Sequence, residues 1–262
     1  MTDVLILGGT GWLSGRIAGH WRDHGATVTC LARGTRPAPE GTVLVRGDRE
    51  EASTYADLAR REWDHVVDIS SQAAHVDRAV EMLGDRAARW TYVSSVSVYS
   101  DDETVGADES APRHPAAVLG DEYEYAAQKV AAEDSVARLG ERALVVRPGL
   151  IVGDGDPSDR FGYWSAAFAR ADADAVLLPP LDGRSAQLID VDDLAEYIVT
   201  ARGSGPSTPS ATRGLSRMCC GWSALHPGTP GRPSSRTRSG SSRVTWTTGP
   251  ARTPCRCGSR PR

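Results

Sequence analysis

No stretch of the chain approaches the roughly 18 consecutive apolar residues that a membrane-spanning helix needs. Met1, Thr2 and Asp3 lead straight into the apolar Val4 to Leu7, without the basic start and long apolar core of a signal peptide. These absences argue against a membrane or secreted role and set a cytoplasmic protein as the expectation. Cysteine is scarce, and four of the five, Cys219, Cys220, Cys255 and Cys257, lie near the C-terminus. Their adjacent and one-apart spacings lack the two-residue spacer of zinc ligands, so no metal is expected. The fifth, Cys30, sits among apolar residues and reads as a buried thiol in a reducing compartment. Lysine occurs once, at position 129, and acidic residues are absent after position 202.

That last absence divides the chain. Residues 1–202 hold all 34 acids and 20 of the 30 basic residues, a formal charge of −14. Residues 203–262 carry ten arginines and no acid, and 46 of these 60 residues are Gly, Pro, Ser, Thr or Arg. Such a segment buries too little apolar surface to offset its chain entropy. It reads as a basic nucleic-acid arm, as a disordered linker, or as translation of a GC-rich gene in a shifted frame. Codon arithmetic favours the shifted frame. If four-fold-box codons are used, Pro206 to Thr212 read from the third base can encode Phe-Asn-Ala-Ile-Gly-Asp, a buried strand and a turn. By the same shift Thr253 to Ser259 can encode Ser-Leu-Pro-Leu-Trp-Leu-Pro. The expected organisation is therefore a folded unit over 1–202 and a tail over 203–262.

Within 1–202, short apolar runs alternate with amphipathic stretches. Val4 to Leu7, Thr27 to Leu31, Thr42 to Val45, His65 to Ile69, Trp90 to Val93 and Ala143 to Val146 read as strands. Trp12 to His24, His75 to Leu83 and Glu122 to Leu139 read as helices. Repeated βαβ units predict an α/β fold with a doubly wound, mainly parallel sheet, whose ligands bind at the carboxyl ends of the strands.

The chemistry-bearing residues fall at those ends. Gly8, Gly9, Thr10, Gly11, Trp12 and Leu13 join the first strand to the first helix, where glycines permit a tight turn and the helix N-terminus attracts a pyrophosphate. After the second strand, Arg33 and Arg36 stand where an acid would favour the ribose hydroxyls of NAD, so NADP is expected over NAD. Asp48, in the Gly47-Asp48-Arg49 turn after the third strand, can accept from an adenine amino group or cap the turn. Tyr125 and Lys129 are four apart and share a helical face, and an ammonium beside a phenol lowers its pKa from about 10 toward neutrality, fitting Tyr125 for proton transfer. Ser94 to Tyr99 follows the fifth strand and offers a hydroxyl to polarise a substrate oxygen. Asp190 reads as a helix N-cap, His75 and His114 as surface or turn residues, and Asp68 as a buried acid without a sequence-evident partner.

Gly8 to Gly15, Gly47-Asp48-Arg49, Ser94 to Tyr99, Tyr125 to Lys129 and Arg147 to Gly153 together resemble the extended short-chain dehydrogenase/reductase family, in its NAD-dependent epimerase/dehydratase branch, over residues 3 to about 202. The resemblance implies a Rossmann-type fold and hydride transfer between a nicotinamide and a secondary alcohol or carbonyl of a small metabolite or sugar nucleotide. By position it makes Ser95, Tyr125 and Lys129 catalytic, adds Arg49 and Pro148 to the cofactor site, and gives Lys129 a bond to the nicotinamide ribose. It also implies a homodimer through the helices equivalent to 75–84 and 121–139. Asp154 to Trp164 and Gln187 to Ala195 resemble bacterial reductases and epimerases of the branch. Ser14, Ala126 and Ser100 depart from the usual glycines without removing a reacting group, whereas a shifted frame would truncate the C-terminal substrate lobe. Two alternatives stand beside this reading. Atypical members of the fold bind RNA stem-loops in chloroplasts, although a charge of −14 opposes a polyanion. A Rossmann half that binds cofactor without closing a substrate site is the other.

Overall fold

The computed structural model describes residues 1–104, 107–118, 122–169, 176–178, 186–201, 203, 205–207 and 242–244. The first compact unit comprises Met1–Pro157 and Ala186–Ala211. Its strands are β1 (Asp3–Leu7), β2 (Thr27–Ala32), β3 (Val43–Arg46), β4 (His65–Asp68), β5 (Trp90–Val93), β6 (Ala143–Val146) and β7 (Leu150–Val152). The second unit comprises Ser158–Ser185 and Thr212–Arg262, and holds β8 (Val176–Leu178) and helix α4 (Arg160–Ala169). Back in the first unit, β9 is Leu188–Asp190 and β10 is Gly205–Ser207; β11 (Ser242–Val244) pairs antiparallel with β8 in the second. The first unit's helices are α1 (Trp12–Asp23), α2 (Ala73–Leu83), α3 (Tyr125–Ala137) and α5 (Val191–Thr200).

Seven strands form one parallel sheet in the order β10-β6-β5-β4-β1-β2-β3, the doubly wound arrangement the βαβ pattern predicts. Alternation along each strand sorts the core onto two faces. Val4, Ile6, Val28, Cys30, Val67, Val93, Leu144 and Val146 pack beneath α1 and α5, while Leu5, Leu7, Leu31, Val66, Tyr92 and Val145 pack beneath α2 and α3. The second face also buries Tyr55, Trp63 and Trp90 almost completely, so three of the chain's few aromatics fill this layer.

Two departures from the sequence expectation have local causes. The fold does not end at 202, because Gly205–Ser207 adds β10 beside β6, an edge position where Pro206 costs no ladder bond on its outer side. The small parallel pair β7·β9 was not foreseen. It depends on Gly149, where a Cβ would lie 2.4 Å from the Gln187 carbonyl oxygen, so only glycine lets the two segments approach. The four tail cysteines lie outside the described residues. None of the described helices is long and apolar enough to cross a membrane.

Candidate active site

The turn after β1 is shaped by packing as well as by its destination. Gly8 has φ +87°, and a Cβ on Gly9 would sit 2.5 Å from the Cβ of buried Cys30 on β2. Ser14 braces the loop: its Oγ accepts from the Gly11 N–H at 2.8 Å and donates to the Gly8 carbonyl at 2.8 Å. Helix α1 starts at Trp12 with a glycine N-cap, so no N-cap side chain caps its first-turn N–H groups. Leu13 is buried, Thr10 and Trp12 are half-buried, and the Trp12 indole donates to the Asp154 carbonyl at 2.9 Å.

At the ends of β2 and β3, Arg33 and Arg36 are exposed and have no partner among the described residues. Arg46, which sequence reasoning passed over, runs its side chain across Gly34, with Nε 3.0 Å from where a Cβ would stand. Asp48 is half-buried and uses Oδ1 to accept from the Glu50 N–H at 3.0 Å, so turn capping is realised. Arg49, expected at the cofactor, turns inward instead. Its guanidinium makes two 2.7 Å bonds to Asp68, and donates to the Tyr55 hydroxyl at 3.2 Å and the His75 carbonyl at 2.8 Å. The reason is electrostatic: Asp68 is fully buried and requires a counter-charge. Burial works against the Arg49 charge, but the Asp68 carboxylate overrides it and holds the guanidinium charged. His75 is no surface or turn residue. It lies half-buried in α2, with its pKa lowered by burial and by Arg49.

Helix α3 starts later than its periodicity predicts, because Glu124 is its N-cap and accepts from the N–H groups of Ala126 and Ala127 at 3.1 and 2.6 Å. Tyr125 is thereby the first helical residue and 41% exposed, while Lys129, one turn on, is 3% exposed. The Lys129 ammonium donates to the Val93 carbonyl at 2.7 Å and the Ser70 carbonyl at 3.0 Å. It stands 5.9 Å from the Tyr125 ring centroid and 4.8 Å from that of Tyr92. Burial pushes Lys129 down to about 8, against the pull of the Asp68 and Glu133 carboxylates. Burial pushes the Tyr92 phenol up, and its hydroxyl donates to the Ser70 carbonyl at 3.0 Å. Of the two phenols beside the ammonium, Tyr92 is therefore kept neutral and Tyr125 faces outward.

Ser95 caps a 3₁₀ turn, accepting from Ser97 N at 3.1 Å and donating to Ser97 Oγ at 3.0 Å. Pro148 is buried, and its carbonyl accepts from Val96 N at 3.0 Å, pinning that turn to the end of β6. Glu133, one turn beyond Lys129, holds Arg147 through bonds of 2.9 and 2.6 Å and Arg113 at 3.0 Å, and Arg147 reaches Tyr99 at 3.0 Å. The i+4 spacing from Lys129 was the available signal for Glu133. Nothing in the sequence pointed to the Ser70 and Val93 carbonyls. Asp190 caps α5, accepting from Asp192 N at 2.8 Å, and His114 is exposed in the loop after Tyr99.

These elements gather at one edge of the sheet. The α1 terminus, with first-turn N–H groups that no N-cap side chain caps, could hold the pyrophosphate of a dinucleotide, and Arg33 and Arg36, without partners among the described residues, could meet an anion. The Ser94 hydroxyl, buried at the end of β5, has no hydrogen-bond partner among the described residues.

Comparison with known proteins agrees with this fold. A UDP-N-acetylglucosamine 4-epimerase from Bacillus cereus superposes with TM-score 0.64 at 15% identity, over 80% of this chain and 76% of that one. An ADP-L-glycero-D-manno-heptose-6-epimerase from Helicobacter pylori gives 0.62 at 14%, over 80% and 77%. A UDP-glucose 4-epimerase from Thermus thermophilus, in complex with NAD, gives 0.59 at 16%, over 80% and 78%. At such identities the likeness is one of fold. No curated protein matches in sequence. The model of the NAD dependent epimerase/dehydratase family matches residues 4–209, most of the chain, and with the Rossmann sheet and the Tyr125–Lys129 helix in place the chain belongs to that family.

Proposed function

We propose that the protein is a nicotinamide-dependent oxidoreductase or epimerase acting on a secondary alcohol or carbonyl of a sugar nucleotide or small metabolite, with NADP preferred over NAD. When bound, the nicotinamide ring supplies a hydride acceptor or donor. Gly8 to Leu13 and the α1 N-terminus would hold the pyrophosphate, and Arg33 and Arg36, joined by Arg46, a 2′-phosphate. Tyr125 exchanges a proton with the reacting oxygen, and Ser95, by rotating its hydroxyl away from Ser97, hydrogen-bonds the same oxygen. Lys129 favours the ionised phenol by charge. Two of its three N–H groups are committed to Val93 and Ser70, which leaves one for ribose.

The observation that carries this reading is the single lysine of the chain, buried and fixed by two carbonyls beneath an exposed tyrosine one helical turn away. A structural lysine has no need of such a neighbour, and a surface lysine would not accept the desolvation. The test is Tyr125→Phe: dinucleotide binding is retained and turnover lost. Turnover unchanged by the substitution would remove the mechanism.

A further inference from the structure

Lys129 is anchored at two carbonyls whose positions are fixed in different ways. Val93 belongs to β5, inside the sheet, so its carbonyl is placed by the ladder. Ser70 lies two residues beyond the end of β4, outside any strand. Its N–H donates to Asp68 Oδ1 at 3.0 Å, and its carbonyl accepts from both the Lys129 ammonium and the Tyr92 hydroxyl at 3.0 Å. Asp68 is therefore the group that sets this turn, and Arg49 clamps Asp68 with two 2.7 Å bonds. We propose that Asp68, clamped by Arg49, is a positioning residue for Lys129: it fixes the Ser70 carbonyl on which the ammonium docks and so where the ammonium stands relative to Tyr125.

The charges around Lys129 agree with this role. From β4 it meets Asp68, from β5 Tyr92, and from its own helix Tyr125 and Glu133. Glu133 is saturated by Arg147 and Arg113, and neither carboxylate bonds the ammonium directly. Asp68 acts on the lysine through the shared carbonyl and through space, the latter raising the affinity of Lys129 for its proton. Tyr92 completes the frame by donating to the same carbonyl.

The inference bears on catalysis only through the reading of Tyr125 and Lys129 above, so its test is made at the lysine. Because the chain has one lysine, side-chain-labelled lysine gives a single NMR resonance whose pH titration reports Lys129 alone. In the unaltered protein the midpoint is expected at about 8. Asp68→Leu combined with Arg49→Met replaces the pair by apolar groups, deleting both the turn bond and the charge without stranding a guanidinium. The expected result is a cooperative melt with the lysine midpoint lowered by about half a pH unit or more. Asp68→Asn lowers it in the same direction, and Asp77→Asn, at an exposed pair with Arg138, leaves it in place. A variant that melts earlier yet titrates like the unaltered protein would overturn the proposal, since a merely structural pair weakens the fold without moving the lysine. Loss of the cooperative melt in both Asp68 variants, with the lysine returning to the ordinary 10.5, would likewise assign the pair to architecture and overturn it. A lysine that moves as expected, together with full turnover in Tyr125→Phe, would sink the functional reading and leave this one standing.

Discussion

Replacing Lys129 by methionine turns the buried ammonium into a measurable pH dependence. Burial brings the lysine from the ordinary 10.5 to about 8 in the folded chain. At about 1.4 kcal/mol per pH unit, that corresponds to about 3 kcal/mol of folding free energy spent on keeping the charge inside. Below about pH 8 the folded and unfolded chains both hold the proton, and the penalty is complete. Between 8 and 10.5 the folded chain has released its proton and the unfolded chain has not, so the unfolded state binds more protons and stability rises with pH. Lys129→Met lacks this group and therefore this slope. The variant also takes a donor from the Val93 and Ser70 carbonyls, of which Ser70 keeps the Tyr92 hydroxyl, a cost of about 1 kcal/mol that does not vary with pH. Cys30, Tyr55 and Tyr92, all pushed up by burial, act with the opposite sign at alkaline pH, but they are common to both chains and cancel in the difference. Urea unfolding at a series of pH values should show the unaltered protein gaining about 3 kcal/mol on the variant as pH rises from 8 to 10.5. Curves that run parallel across that window would refute the buried, charge-penalised lysine.

Three further outcomes follow from the same geometry. With Tyr125 assisted by a charged Lys129, as proposed, turnover should fall on the alkaline side with a midpoint near 8, and a profile still flat two units higher would contradict the pairing. Gly9→Ala drives a Cβ to 2.5 Å from that of Cys30 and should cost about 1–3 kcal/mol of stability; calorimetry finding an unchanged Tm would show that the turn can shift. Removing Arg33 and Arg36 together by alanine substitution should weaken NADPH binding by about tenfold and NADH binding much less, as read by nicotinamide fluorescence, whereas an equal loss for both would remove the 2′-phosphate assignment.

The fold was legible wherever apolar period and turn chemistry coincide. β1, β4, β5 and β6 lie within a residue of their expected ends, because a strand buried on both faces must be a short continuous apolar run. That Tyr125 and Lys129 lie one turn apart on a helix was legible from spacing alone. What escaped were interactions made by backbone or across long separations. The Ser70 carbonyl carries no residue signature, and the Arg49–Asp68 pair joins positions 19 apart through a fold not yet known. The start of α3 was misplaced because the capping carboxylate of Glu124 outweighs a period that continues on either side of it. β10, at Gly205–Ser207 beside β6, escaped because Gly, Pro and Ser carry no strand-like apolar run; most of the remaining tail lies outside the described residues.

The most direct measurement is a single turnover followed by nicotinamide absorbance, with the protein loaded with dinucleotide and mixed with nucleotide sugars or small secondary alcohols, in the unaltered chain and in Tyr125→Phe. The account predicts hydride transfer with at least one such alcohol, slowed by about a hundredfold or more when the phenol is removed, with dinucleotide affinity unchanged. Equal rates in the two chains would contradict it, because the proton would then have a route that does not pass through Tyr125.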